Sequence, residues 1–128
     1  MSNKYGVSCN QNNYDSTVAI KDYSWLAGDT NYIEIRILDS EGVVVPALSG
    51  IVQLRQTVNG SVVVQKAATI DVETGIITFK FDPADTEGLV LDAKPIDYLY
   101  DTELVMENGD TMTPIAGKIR LKKSITRI

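Results

Sequence analysis

The chain has 128 residues, 44% of them hydrophobic and 23% charged, which is enough for one buried core and is the balance of an ordinary folded domain. Its 17 acidic residues outweigh 12 scattered basic ones, leaving a net charge of −5, so neither nucleic acid nor a membrane surface is an expected partner. Histidine is absent and cysteine occurs once, at Cys9, which removes the commonest general base, the commonest zinc ligand and any internal disulfide.

Residues 1–16, MSNKYGVSCNQNNYDS, are rich in Asn and Ser and show neither a two-residue nor a 3.6-residue apolar period. They read as a polar, flexible N-terminal arm ahead of a single domain spanning 17–128. The arm is either a frayed chain end or a segment ordered by a neighbouring subunit, with Tyr5 and Tyr14 as its anchors, since aromatic rings are enriched at buried contacts. No basic stretch followed by an apolar one opens the chain, and no apolar run approaches the ~20 residues of a membrane span, so no signal peptide and no transmembrane segment are expected.

Beyond the arm the pattern is β. Thr17 to Trp25 mixes β-branched and aromatic residues and reads as one strand, closed by a turn at Ala27-Gly28-Asp29-Thr30. From Tyr32 to Leu38 the alternation is clean, with Ile33, Ile35 and Ile37 on one face and Glu34 and Arg36 on the other. A turn at Asp39–Gly42 follows, and Pro46 keeps Val43 to Val45 at an edge or in a loop. Ile51 to Thr57 places Val52 and Leu54 inward; Asn59-Gly60 then predicts a tight two-residue hairpin, with Ser61 to Lys66 returning. Ala67 to Val72 continues or restarts that sheet. After a turn at Glu73-Thr74-Gly75, Ile77, Phe79 and Phe81 share a face.

Asp82-Pro83-Ala84-Asp85 has the order of a helix N-cap, a proline in the first turn and an acidic residue near the N-terminal dipole, so one short helical turn is expected over 82–89. In Asp97 to Met106, Tyr98, Tyr100, Thr102, Leu104 and Met106 form the inward set, with Leu99 and Val105 in the opposite phase beside Asp101 and Glu103. Asn108-Gly109 marks another tight hairpin into closing strands at 111–115 and 117–122. The sum is an all-β, two-sheet antiparallel sandwich of immunoglobulin-like architecture with seven to nine strands, a small barrel being the alternative.

Chemistry is harder to find. The glycines occur singly at turns and form no phosphate-binding loop. The acidic sets Asp39/Glu41, Asp71/Glu73, Asp82/Asp85/Glu87 and Asp92/Asp97 all lie near turns, where cap and turn preferences account for them better than calcium binding or an acid and base pair. Trp25, Tyr98 and Tyr100 could stack on sugars, but their phase favours core packing. No catalytic residue, metal ligand or cofactor is therefore expected, and the chain reads as a non-enzyme.

One ordered set of features narrows the field. AGDTNYIEIRILDSEGVVVPALSG (Ala27 to Gly50) is followed by IVQLRQ, TGIITFKFDPADTEGL, YLYDTELVMENGD and GKIRLKKSITR. Over Val18 to Ile128 this order resembles the small immunoglobulin-like domain of bacteriophage tail and baseplate proteins, notably the N-terminal domain of the baseplate upper protein family. The resemblance implies a structural or adaptor part of a virion, assembled in the bacterial cytoplasm, that binds neighbouring tail proteins and copies of itself as a closed homo-oligomer. Contacts are expected at edge strands and at the hairpin tips Asn59, Gly60, Asn108 and Gly109. The alternative function is a carbohydrate-binding or adhesion module built on the aromatic residues.

Overall fold

Where apolar and polar side chains alternate, the backbone extends, and the computed structural model, which describes residues 5–8, 12–13 and 18–123, folds those stretches into two facing sheets. In chain order the strands are β1 (Tyr5–Ser8), β2 (Asn12–Asn13), β3 (Ala19–Ile20), β4 (Tyr23–Ala27), β5 (Asn31–Asp39), β6 (Ala47–Arg55), β7 (Val62–Ala67), β8 (Thr69–Ile70) and β9 (Ile77–Phe81). A short helix, α1 (Pro83–Glu87), precedes β10 (Ile96–Met106), β11 (Thr111–Met112) and β12 (Ile115–Lys123).

The first sheet runs β2-β1-β5-β9-β8, and the second runs β3-β12-β10-β6-β7, with β4 also paired to β12 and β11 to β10. Among the described residues β3 and β4 run parallel to β12, and the remaining pairs are antiparallel. The result is an immunoglobulin-like β-sandwich.

The core lies between the sheets and is supplied by the inward phase of each strand. Ile33, Ile35 and Ile37 of β5 and Ile77, Phe79 and Phe81 of β9 face Val52 and Leu54 of β6, Leu104 and Met106 of β10, and Ile115, Ile119 and Leu121 of β12, all essentially without solvent contact. An aromatic column ties the layers: the Trp25 ring lies 5.1 Å from Phe81 and 5.4 Å from Tyr23, which in turn lies 5.9 Å from Tyr100. Tilted ring pairs at such distances gain electrostatically as well as by burial. With one cysteine in the chain the two layers cannot be joined by an internal disulfide, and aromatic packing joins them here.

Tyr98, near the start of β10, donates its hydroxyl proton to the Leu89 carbonyl at 2.7 Å, pinning the connection from α1. The bond has the form of the tyrosine corner of immunoglobulin-like sandwiches.

Several local expectations need correction. The stretch read as one strand from Thr17 to Trp25 breaks at Lys21–Asp22 into β3 and β4. Gly117 explains the break, since a Cβ there would sit 2.3 Å from the Lys21 carbonyl oxygen, so the bent chain crosses β12 at that glycine. Asp22 Oδ1 accepts the Lys118 N–H at 2.9 Å, and Tyr100 donates to the Lys21 carbonyl at 2.6 Å, so the bend is bonded from both sides.

The Asn59-Gly60 hairpin is not a two-residue turn. The connection spans 56–61, Gly60 does not adopt the left-handed conformation, its N–H bonds the Thr57 carbonyl at 3.0 Å, and the ladder shifts register between Leu54 and Arg55. The extra residue that this bulge takes up displaces the turn toward Thr57. At Asn108-Gly109 the connection is short as expected, with Gly109 at φ 92° and Met106 N–H bonded to the Asp110 carbonyl at 2.8 Å.

Beyond Ala67 the chain leaves the second sheet, because β8 pairs with β9 in the first. Among the described residues the strands number twelve instead of seven to nine, the surplus being the two-residue pieces β2, β3, β8 and β11. The helical turn stands where expected, with the Asp82 N–H bonded to Asp85 Oδ2 at 2.7 Å.

Candidate functional site

Burying one phase of each strand leaves the other phase to form the outer faces. On the second sheet this outward set includes Asp97, Leu99, Asp101 and Glu103 of β10, Ile51, Gln53 and Arg55 of β6, and Lys118 and Arg120 of β12. Cross-strand bonds fix several of these side chains. Arg120 grips its register partner Asp97 with two bonds, Nε to Oδ1 at 2.8 Å and Nη2 to Oδ2 at 3.3 Å. That grip holds the pKa of the Asp97 carboxyl below its ordinary value and that of the Arg120 guanidinium above its own. Arg55 Nη2 donates to Gln53 Oε1 at 2.9 Å, and Gln53 Nε2 donates to Gln65 Oε1 at 2.6 Å.

Beside this network lies an open groove of about 400 Å³. Leu99 and Ala116 contribute its apolar lining, together with Ile20, which is 60% exposed, and Val58, which is 78% exposed. Asp22, Asp101, Arg55 and Lys118 add charges of both signs. Exposed apolar side chains on a strand and the adjoining connection, set among mixed charge, have the composition of a protein contact patch. A second depression, about 370 Å³, lies at the corner between α1 and β10, with Leu89, Leu91, Ile96 and Tyr98 in its wall.

The residues proposed from sequence do not converge. Val58, beside Asn59, reaches the groove, and Asn59 itself is exposed on the 56–61 connection with Gly60 half-buried. Asn108 and Gly109 sit at the opposite end of the sheet, because β6 meets β10 with Arg55 beside Leu99 and Ala47 beside Met106. Tyr5 belongs to β1, whose backbone pairs with β5 in the other sheet, opposite Asp39. Tyr14 lies outside the described residues. The groove residues Ile20, Asp22, Arg55 and Leu99 were missed. Leu99 carried a signal, since it is an apolar residue in the water-facing phase of an otherwise polar outer row.

The aromatic residues considered for sugar stacking are interior: Trp25 is 9%, Tyr98 5% and Tyr100 3% exposed. The turn carboxylates hold backbone amides. Asp39 Oδ1 accepts from Glu41 and Val43, Asp71 Oδ1 from Glu73 and Thr74, and Asp92 Oδ1 from Lys94. Among the described residues no group of three or more His, Cys, Asp or Glu side chains is arranged to hold a metal ion. The buried polar side chains Thr86 and Thr102 are both engaged, Thr86 accepting from Gly28 N–H at 2.9 Å and Thr102 bonding Ile115 in both directions. The outer face offers apolar contact, charge pairing and backbone groups at its edges.

No model of a known protein family matches the chain, and no curated protein does. Among solved structures it is similar to CopC from Methylosinus trichosporium OB3b, at 10% identity and a TM-score of 0.49, over 84% of this chain and 89% of that one. It is also similar to murine CRIg, at 8% identity and a TM-score of 0.41, over 81% of this chain and 92% of that one. These are likenesses of strand arrangement and of nothing further.

Proposed function

We propose that this chain is a non-catalytic structural or adaptor module of a bacteriophage tail or baseplate, and that it meets a neighbouring virion protein through the outer face of its second sheet. The observation that carries the reading is the groove beside Leu99, where Ile20 of β3 and Val58 of the 56–61 connection stand exposed among charges of both signs. Further support comes from the order of strands, turns and helical turn from Val18 onward, which resembles the small domains of tail and baseplate proteins.

The partner surface required is convex and carries an apolar residue to enter the groove, with acidic and basic groups placed to answer Arg55, Lys118, Asp22 and Asp101. The test is incorporation. Gradient-purified particles from a host making the full chain should contain it, as read by mass spectrometry. Leu99→Glu, which buries a charge on docking while leaving the inward phase untouched, should be expressed and folded yet absent from particles. Failure to find the parent chain in particles would refute the virion assignment; particles that take up Leu99→Glu normally would refute the surface.

A further inference from the structure

We infer that β7 is the self-association edge of this protein: two copies pair β7 against β7 in antiparallel fashion, centred on Gln65, to make one continuous sheet. The inference does not depend on the virion reading, because it rests on the strand itself.

Four observations converge on β7. It ends the second sheet, and at six residues it is a longer terminal strand than β2, β3 or β8, each of two residues. The other extended border, β4, has α1 against it, joined through the Gly28 N–H bond to Thr86 Oγ1. The bond from Ala68 N–H to the Gly50 carbonyl at 2.8 Å fixes the phase of the β6–β7 ladder. By antiparallel alternation, Lys66 and Val64 then bond to β6, while Gln65 and Ala67 direct their N–H and C=O groups away from it, toward the open edge.

Charge is the third observation. Edge strands usually deter a second chain with outward charges, prolines or strong bulges. On β7 the single charged side chain, Lys66, turns to Asp85 at 3.0 Å and Asp82 at 3.4 Å, and the exposed residues Val62, Val63, Gln65 and Ala67 carry no charge. On a molecule with a net charge of −5, this neutral strand is where the approach of an identical copy meets least repulsion.

The fourth observation is register. With Gln65 opposite Gln65 of the second copy, Lys66 faces Val64 and the two lysines stay apart; moving the two-fold axis by one residue, a slip of two along the strand, would set Lys66 against Lys66, a like-charge pair. Gln65 Oε1 already accepts from Gln53 at 2.6 Å. Its amide N–H groups therefore remain to donate across the two-fold axis, giving a row Gln53–Gln65–Gln65–Gln53 over the junction. The bulge at the Val62 end twists the strand there and confines the pairing to the centre.

The experiment uses the full chain. Light scattering and sedimentation equilibrium over rising concentration should show a monomer passing to a dimer and stopping there. Gln65→Pro removes an N–H that bonds nothing in the monomer, so the thermal midpoint at low concentration should hold while dimer dissociation rises at least ~10-fold. Gln65→Lys, which keeps the N–H but sets two cations face to face, should weaken the dimer similarly and be rescued in part by salt. Gln65→Cys in a Cys9→Ser background should oxidise to a covalent dimer, since residues paired across such a ladder lie within disulfide reach. A parent chain that stays monomeric, grows past a dimer, or dimerises undiminished with Gln65→Lys would overturn the proposal.

Discussion

Thr102 shows how a single side chain mends a defect in the sheet. Pro114 cannot donate to the ladder, and the pairing of β10 passes from β11 to β12 around it. The Thr102 hydroxyl fills the gap, donating to the Ile115 carbonyl at 2.9 Å and accepting from the Ile115 N–H at 3.3 Å. Thr102→Val keeps the shape and strands both backbone groups, so it should cost about 1–3 kcal/mol in urea unfolding with an unchanged m-value. Gly117 sets a steric limit of the same local kind. A Cβ there would meet the Lys21 carbonyl oxygen at 2.3 Å and Asp22 Oδ1 at 2.7 Å, so Gly117→Ala should lose about 1–3 kcal/mol by overpacking, read as a lowered thermal midpoint. Neither residue stood out in the sequence. Thr102 shared its phase with apolar neighbours, and Gly117 looked like a strand start, because the chain that crosses it comes from residues far earlier in sequence.

Among elements, the β5, β9 and β10 strands were legible because each has a run of alternation that one buried face explains. The helical turn was legible because Asp82, Pro83 and Asp85 act locally. The break between β3 and β4, the departure of β8 to the opposite sheet and the true β6–β7 connection were not, since each depends on a partner distant in sequence. Leu99 could be seen to be out of phase, but its grouping with Ile20, Asp22 and Val58 required knowing that β3 and the 56–61 connection flank the same end of β10.

Inter-element ion pairs give these elements a pH dependence. The Asp97 carboxyl, lowered first by its bonds to Arg120, stabilises the fold at pH values above 3.8, and that contribution disappears as the pH falls through its lower folded value. Urea unfolding across acid pH should therefore show parent and Asp97→Asn chains converging below that window. Lys66 works in the opposite sense. Its hydrogen bond to Asp85 raises its pKa, so its contribution is complete below 10.5 and is lost as the pH climbs through the higher folded value. Lys66→Met should weaken the fold at neutral pH and close most of its gap to the parent above that point; a gap constant across alkaline pH would count against the tie between β7 and α1.

At the scale of the whole molecule, the two layers divide labour. The interior is closed by apolar packing and by engaged buried hydroxyls, while the outer face of the second sheet is bonded across strands and left open at the groove. If the proposed function holds, binding should be lost through changes to that outer face that leave the melting intact. Hydrogen exchange of the full chain, alone and mixed with the partner that the proposed function requires, reads that surface directly. Protection should fall on 53–58, 99–101 and 116–118, leaving β5, β9 and the α1–β10 corner exchanging as in the free chain; protection confined to β5 and β9 would contradict the assignment of the second sheet as the contact face.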